Sequence, residues 1–317
     1  MIAAVLTKPR TFEVKNSTPP EITENEVKIK VEGCGICASS IPVWQGREWF
    51  NYPLDPGSPG HEGWGIVEKT GKNVTKVKAG DRVAFLSNHS FAEYDISTEG
   101  SLVKLPESIA GQPFPAEPLG CAMNIFERSN ISKGDTVAII GIGFLGALLC
   151  QLAKNAKATV IAISRRPFSL DYAKQYGADH QVPFTSSWEV ANHVSELTSG
   201  RFCERVIEAT GKQEGIDLAT EIIAEGGRLI IAGYHQDGLR QVNMQKWNWK
   251  GIDVINAHER ASEKYLTGME NAVKAVQDGI LQPANLYTDL LSINELNRGF
   301  ELTDTRPDGF MKALITF

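Results

Sequence analysis

The chain has 317 residues, too many for one ordinary core and suited to two domains. Lys plus Arg number 32 against 38 Asp plus Glu, a formal net charge of −6 with both signs interspersed, which argues against nucleic acid or an anionic membrane as main partner. Cys34, Cys37, Cys121, Cys150 and Cys203 are an odd number at irregular spacing and form no disulfide framework, and no apolar run reaches the roughly 20 residues of a membrane helix; a reduced, cytoplasmic protein is expected.

Met1 to Leu6, an apolar run leading into Lys8 and Pro9 without a basic leader or cleavage pattern, reads as a first strand. Through the first hundred residues β-branched runs such as Glu26 to Val31, Gly65 to Lys69 and Asp81 to Phe85 are broken by Gly and Pro, which predicts short strands joined by turns. From Gly134 the texture changes to alternating strands and helices, so a domain boundary is expected near residues 110 to 130. The predicted units are a strand over Thr136 to Ile140, a helix over Leu145 to Lys154, a strand over Thr159 to Ile163 and a helix over Phe168 to Tyr176 that stops at Gly177. A strand near His180 to Val182, a helix near Trp188 to Leu197, a strand at Arg205 to Glu208, a helix at Ile216 to Ile223 and a strand at Arg228 to Ala232 follow. Gly251 to Ala257 adds a last strand to this doubly wound order, Glu270 to Asp278 reads as a helix, and Leu290 to Phe317 alternates as if returning to the first domain.

After the strand at Thr136 to Ile140 stands Gly141-Ile142-Gly143-Phe144-Leu145-Gly146. Gly141 allows the tight turn, Gly143 lets a pyrophosphate approach the backbone, and Gly146 lets the helix pack close on the sheet, with free N–H groups at the helix start facing the phosphates. At the end of the second strand an acid would bind the 2′-hydroxyl of NAD. Here Ser164 is followed by Arg165 and Arg166, which suit a 2′-phosphate, so NADP(H) is favoured over NAD(H). Thr210 and Gly233, at the carboxyl ends of two later strands, stand where such a sheet meets its ligand.

Three segments of the first domain carry metal-type chemistry: Gly35-Ile36-Cys37-Ala38-Ser39, Pro59-Gly60-His61-Glu62-Gly63 and Ala116-Glu117-Pro118-Leu119-Gly120-Cys121. A catalytic zinc needs about three protein ligands and one open position, and Cys37, His61 and Glu117 are a set of the right types. Spacing by itself does not choose this trio over packed, non-ligating side chains. His89, His180, His193, His235 and His258 fall in no ligand pattern.

With Gly-Asp-Arg-Val at 80 to 83, Ala-Glu-Tyr at 92 to 94, Glu-Pro-Leu at 117 to 119 and Glu-Ala-Thr-Gly at 208 to 211 added in order, nearly the whole chain resembles the zinc-containing medium-chain dehydrogenases, among them alcohol, sorbitol and threonine dehydrogenases. The resemblance implies an α/β chain with a GroES-like β-rich catalytic domain over 1–121 and 257–317 and a doubly wound Rossmann domain over 122–256, the metal and nucleotide sites facing a common cleft. It implies one zinc held by Cys37, His61 and Glu117, Glu62 beside it as an exchangeable ligand, and Ser39 as the hydroxyl that relays the substrate proton. Cys121 is the alternative third ligand; the distance from Glu117 to the glycine turn is more like that in sorbitol dehydrogenases with Glu-Pro-Leu. Two departures stand out: Ala84 to Phe91 has no cysteine for a structural zinc lobe, and Pro42 replaces a histidine that passes the proton to solvent in many relatives.

The expected activity is hydride transfer between NADP(H) and a secondary alcohol or ketone, a polyol, sugar or cyclitol, with no nucleic-acid or membrane partner. A metal-free quinone or enone reductase of the same fold and a non-catalytic NADPH-binding protein are the competing readings. Trp44, Gln45, Arg47, Trp49, Phe50, Asn51 and Tyr52 read equally as substrate contacts or as a packed lid. Ile252 to Ala257 is the expected seam of a homodimer or homotetramer.

Overall fold

In the amino-terminal region apolar and polar residues alternate, and the chain pleats accordingly. Strands β1 (Ile2–Lys8) and β2 (Thr11–Asn16) form an antiparallel hairpin. After them come β3 (Glu26–Gly35), a short helix α1 (Ile41–Gln45), β4 (Glu62–Thr70), β5 (Arg82–Phe85), β6 (Tyr94–Thr98) and β7 (Leu102–Lys104). Val27, Ile29 and Val31 of β3 point to one side and meet Val67, Val83 and Phe85 in one apolar cluster, as their period of two requires.

Helix α2 (Ala116–Ser129) follows, with Pro118 in its first turn, where the missing N–H leaves no helical bond unmade. Strand and helix then alternate through β8 (Thr136–Ile140), α3 (Phe144–Asn155), β9 (Thr159–Ser164), α4 (Pro167–Gln175), β10 (His180–Pro183) and α5 (Ser187–Leu197). They continue through β11 (Cys203–Glu208), α6 (Gln213–Ile222), β12 (Ile223–Ile231), α7 (Met244–Lys250) and β13 (Asp253–Asn256). These six strands form one parallel sheet in the order β10-β9-β8-β11-β12-β13. Its middle strands are continuous apolar runs, Val137 to Ile140 being almost fully buried, because helices cover both faces.

The chain ends with α8 (Ser262–Gln277), β14 (Asp289–Ser292), α9 (Leu296–Thr305) and β15 (Ala313–Thr316). Strand β15 pairs antiparallel with β3, completing a seven-stranded sheet of order β14-β15-β3-β4-β5-β7 with β6 also on β3. The structure, a computed structural model describing residues 1–317, divides into two units. The first holds Met1–Gly120, Ala261–Asp278 and Gln282–Phe317; the second holds Cys121–Arg260 and Gly279–Leu281. No helix is long and apolar enough to cross a membrane.

Helices α2 and α7 have no counterpart among the expected elements, and two others begin earlier than expected. Helix α8 begins at Ser262, ahead of the expected Glu270, because its first turns are exposed and polar and its buried stripe starts only at Gly268 and Met269. Strand β12 starts at Ile223 directly from α6; Gly226, at φ 65°, lies in the irregular stretch between its two paired segments.

Candidate active site

The end of β3 and the start of β4 lie side by side, Gly35 opposite Glu62, so Gly-Ile-Cys and Gly-His-Glu become neighbours through strand register. A side chain at position 35 would collide with the Glu62 carboxylate, which is why glycine stands there. Past the strand, Cys37 caps a 3₁₀ turn over Ala38–Ser40, and Ser40 N donates to Cys37 O at 3.1 Å.

Ligand atoms of Cys37, His61 and Glu62 all lie within 4.8 Å of one another. Zinc bonds of roughly 2.0 to 2.3 Å give a tetrahedron with edges of about 3.5 Å, so small side-chain shifts would let the three share an ion. His61 Nδ1 is 3.0 Å from Pro59 O, and since a carbonyl only accepts, Nδ1 carries the proton and Nε2 faces the site. The Ser39 hydroxyl lies between the donors, 3.2 Å from Cys37 Sγ and 3.5 Å from His61 Nε2. Burial opposes charge on His61, but the hydrogen bond and charge of Cys37, with the charges of Glu117 and Glu62, raise its pKa to about 10.

Glu62 is held by a residue that sequence reading missed. Lys312, just before β15, is buried with it and donates from Nζ to Glu62 Oε1 at 2.7 Å and to Ile36 O at 3.0 Å. Burial lowers the Lys312 pKa, yet the charges of Glu62 and Cys37 outweigh it and the net shift is upward. Glu62 Oε2 lies 2.6 Å from the same nitrogen, so the buried carboxylate meets its counter-charge at both oxygens. The donor set of a thiolate, an imidazole and a carboxylate fits a zinc ion. The trio differs in one member from the expected set: Glu62 is the converging carboxylate, while Glu117, in the first turn of α2, acts on His61 and Lys312 through its charge. Cys121, the alternative ligand, falls in the second unit.

In that second unit Gly141 has φ 96°, a left-handed turn, and a Cβ there would come within 2.7 Å of the Thr210 methyl. Ile142 is buried. A Cβ on Gly143 meets nothing within 4 Å, so the approach to the start of α3 is open; Phe144 and Leu145 are half-buried in its first turn. Gly146 packs so tightly on the Gly141 carbonyl that no side chain fits. Next to this turn, Ser164 ends β9 and its hydroxyl accepts from Arg166 N at 3.2 Å. Arg166 reaches back to Ile142 O at 3.4 Å, while Arg165 stands in an exposed ion pair, 3.6 Å from Glu214. Thr210 and Gly233 flank the buried Glu208 at the ends of β11 and β12: Thr210 N donates to Glu208 Oε1 at 2.7 Å, and a Cβ on Gly233 would stand 2.7 Å from Oε2.

The aromatic segment resolves toward packing. Trp44 is buried against Phe300, and Phe50 and Tyr52 cover the same core, while Trp49 remains exposed. None of the five cysteines is in a disulfide.

Residues 23–111 match the family model of the alcohol dehydrogenase GroES-like domain, and residues 145–274 that of zinc-binding dehydrogenases. A sorbitol dehydrogenase from Halalkalibacterium halodurans is 28% identical over 322 residues, covering 91% of each chain. A D-arabitol-phosphate dehydrogenase from Enterococcus avium is 29% identical over 76% of this chain and 77% of its own. The fold is that of galactitol-1-phosphate dehydrogenase from Escherichia coli, with a TM-score of 0.86 at 22% identity over the full length of both chains. With the glycine turn, the two matched domains and these relatives in agreement, the chain belongs to the zinc-type medium-chain dehydrogenase/reductase family of oxidoreductases.

Proposed function

We propose that this protein is a zinc-dependent alcohol dehydrogenase that oxidises a secondary alcohol of a polyol, sugar or cyclitol, or reduces the matching ketone, with NADP(H) preferred. The observation that carries the reading is the convergence of Cys37, His61 and Glu62 within 4.8 Å, with the Ser39 hydroxyl between two of them. The polyol dehydrogenases among its relatives support the substrate class. Held by these donors, zinc would supply Lewis acidity toward the substrate oxygen, and the nicotinamide cofactor would supply the hydride chemistry.

The chain's own residues do the rest. Cys37 and His61 hold the ion, with Glu62 or Glu117 as the carboxylate ligand. Lys312 steadies Glu62 so that its carboxylate can be engaged or released without leaving an unpaired charge in the core. Ser39 takes the hydroxyl proton, and Pro42, which has no titratable group, cannot pass it on. Gly141, Ile142, Gly143, Phe144, Leu145 and Gly146 cradle the diphosphate; Ser164, Arg165 and Arg166 take the 2′-phosphate; Thr210 and Gly233 serve the nicotinamide half. Two copies pair through β13, the exposed edge of the parallel sheet, and cysteines without disulfides suit a reducing cytoplasm.

The test is a screen of polyols, polyol phosphates, sugars, cyclitols and simple alcohols with NADP+ and NAD+, with and without a chelator. Chelator-sensitive turnover that is faster with NADP+ is the expected result. Turnover indifferent to chelation, or none in either direction, overturns it.

A further inference from the structure

Glu208 ends β11 fully buried, and its carboxylate is saturated by donors from two loops. From the loop after β11, Thr210 N donates at 2.7 Å, Gly211 N at 3.1 Å, and the Thr210 hydroxyl donates to the same oxygen. From the loop after β12, His235 Nε2 lies 2.9 Å from the other oxygen. Arg240 Nε donates to His235 Nδ1 at 2.9 Å; a guanidinium has no lone pair to offer, so Nδ1 accepts and Nε2–H is the donor to Glu208. Arg240 also donates to Gly211 O at 2.8 Å, crossing from one loop to the other. Beyond this centre, Lys212 pairs with Asp237 at 2.6 Å, and Gln213 and Gln241 exchange two hydrogen bonds at 2.8 and 2.9 Å.

Sheet order says what these loops serve. With strands ordered β10-β9-β8-β11-β12-β13, the chain reverses direction of growth between β8 and β11, the crevice where a dinucleotide lies in an open parallel sheet. The glycine turn after β8 takes the diphosphate and the end of β9 the adenine side, so the ends of β11 and β12 meet the nicotinamide side. The Thr210 methyl fills the space that a side chain on Gly141 would need, and Gly233 packs against Glu208 and Gly211 so closely that neither position 233 nor 211 has room for a side chain.

We propose that His235 and Arg240 are positioning residues for the nicotinamide half of the cofactor: the imidazole, aimed by Arg240, locks Glu208 and through it the backbone of Thr210, Gly211 and Gly233. The inference rests on the nucleotide-binding reading of the glycine turn. It predicts a selective defect, because the diphosphate and adenine contacts come from β8 and β9.

The experiment is calorimetric titration of the full-length protein with NADPH and with adenosine 2′,5′-bisphosphate, which lacks the nicotinamide half. His235→Ala is expected to weaken NADPH about tenfold, the scale of one lost charge-assisted hydrogen bond, and the bisphosphate less than twofold. His235→Gln, which can still donate to Glu208, is expected to recover most of the NADPH affinity, and Arg240→Met to reproduce the selective loss. Unchanged NADPH affinity in both His235→Ala and Arg240→Met, or equal weakening of both ligands, overturns the proposal while leaving the nucleotide reading intact. Wild-type protein that binds neither of these ligands nor NADH overturns that reading, and this inference with it.

Discussion

The glycine turn and the candidate metal-donor cluster are built by opposite means. Gly141 to Gly146 are consecutive, and their work is done by backbone: a left-handed turn, an open approach and a tight helix-to-strand packing. Cys37, His61, Glu62 and Lys312 come from β3, β4 and the approach to β15, and only the pairing of those strands makes them neighbours. A site of the first kind tolerates changes elsewhere in the sheet. One of the second kind depends on buried charges that must stay paired.

That contrast breaks most visibly at Cys37. Cys37→Ser is expected to lower kcat by about three orders of magnitude, the several kcal/mol a Lewis-acid metal contributes, with zinc content falling in parallel and dinucleotide affinity unchanged. Elemental analysis, titration and steady-state kinetics on one preparation check all three, and coupled loss of nucleotide binding would show that the two sites are not independent. Next in size is Lys312→Met, which leaves Glu62 buried beside an apolar side chain. Denaturant unfolding should show a loss of roughly 3–5 kcal/mol, and Lys312→Arg should recover part of it.

Gly141→Ala sharpens the comparison from the other side. Its φ of 96° and the nearby Thr210 methyl make any side chain costly, by roughly 1–3 kcal/mol. Calorimetry should register weaker NADPH binding, while zinc content stays at the wild-type level. The smallest expected effect is in cofactor choice. Ser164→Asp places a carboxylate where β9 ends and should move the ratio of kcat/KM for NADP+ over NAD+ about tenfold toward NAD+, one charge-assisted bond lost and one gained. An unmoved ratio would take Ser164, Arg165 and Arg166 out of 2′-phosphate recognition.

Much of this was legible before any coordinates. The parallel sheet showed itself because buried strands and amphipathic helices alternate in a regular rhythm, and every strand expected from Thr136 to Glu208 is present within a residue or two. The candidate metal donors were named by resemblance to a family, since the spacing from Cys37 to His61 says nothing about which strands pair. Lys312 was invisible because a lone lysine near a chain end normally reads as solvent-exposed, and nothing local marks that β15 inserts beside β3. His235 looked like one more unassigned histidine until Arg240 and Glu208 closed on its two nitrogens.

Local chemistry, then, was settled by residue order: where the backbone turns through a left-handed glycine, which strand end lacks an acid, which segments alternate. Tertiary structure alone decided that Glu62 is the carboxylate converging with Cys37 and His61, that a lysine 250 positions away neutralises it, and that Trp44 belongs to a core. The reason is physical: backbone preferences act between neighbours in the chain, whereas pairing of buried charges acts through space and is set only once the strands that carry them are in register.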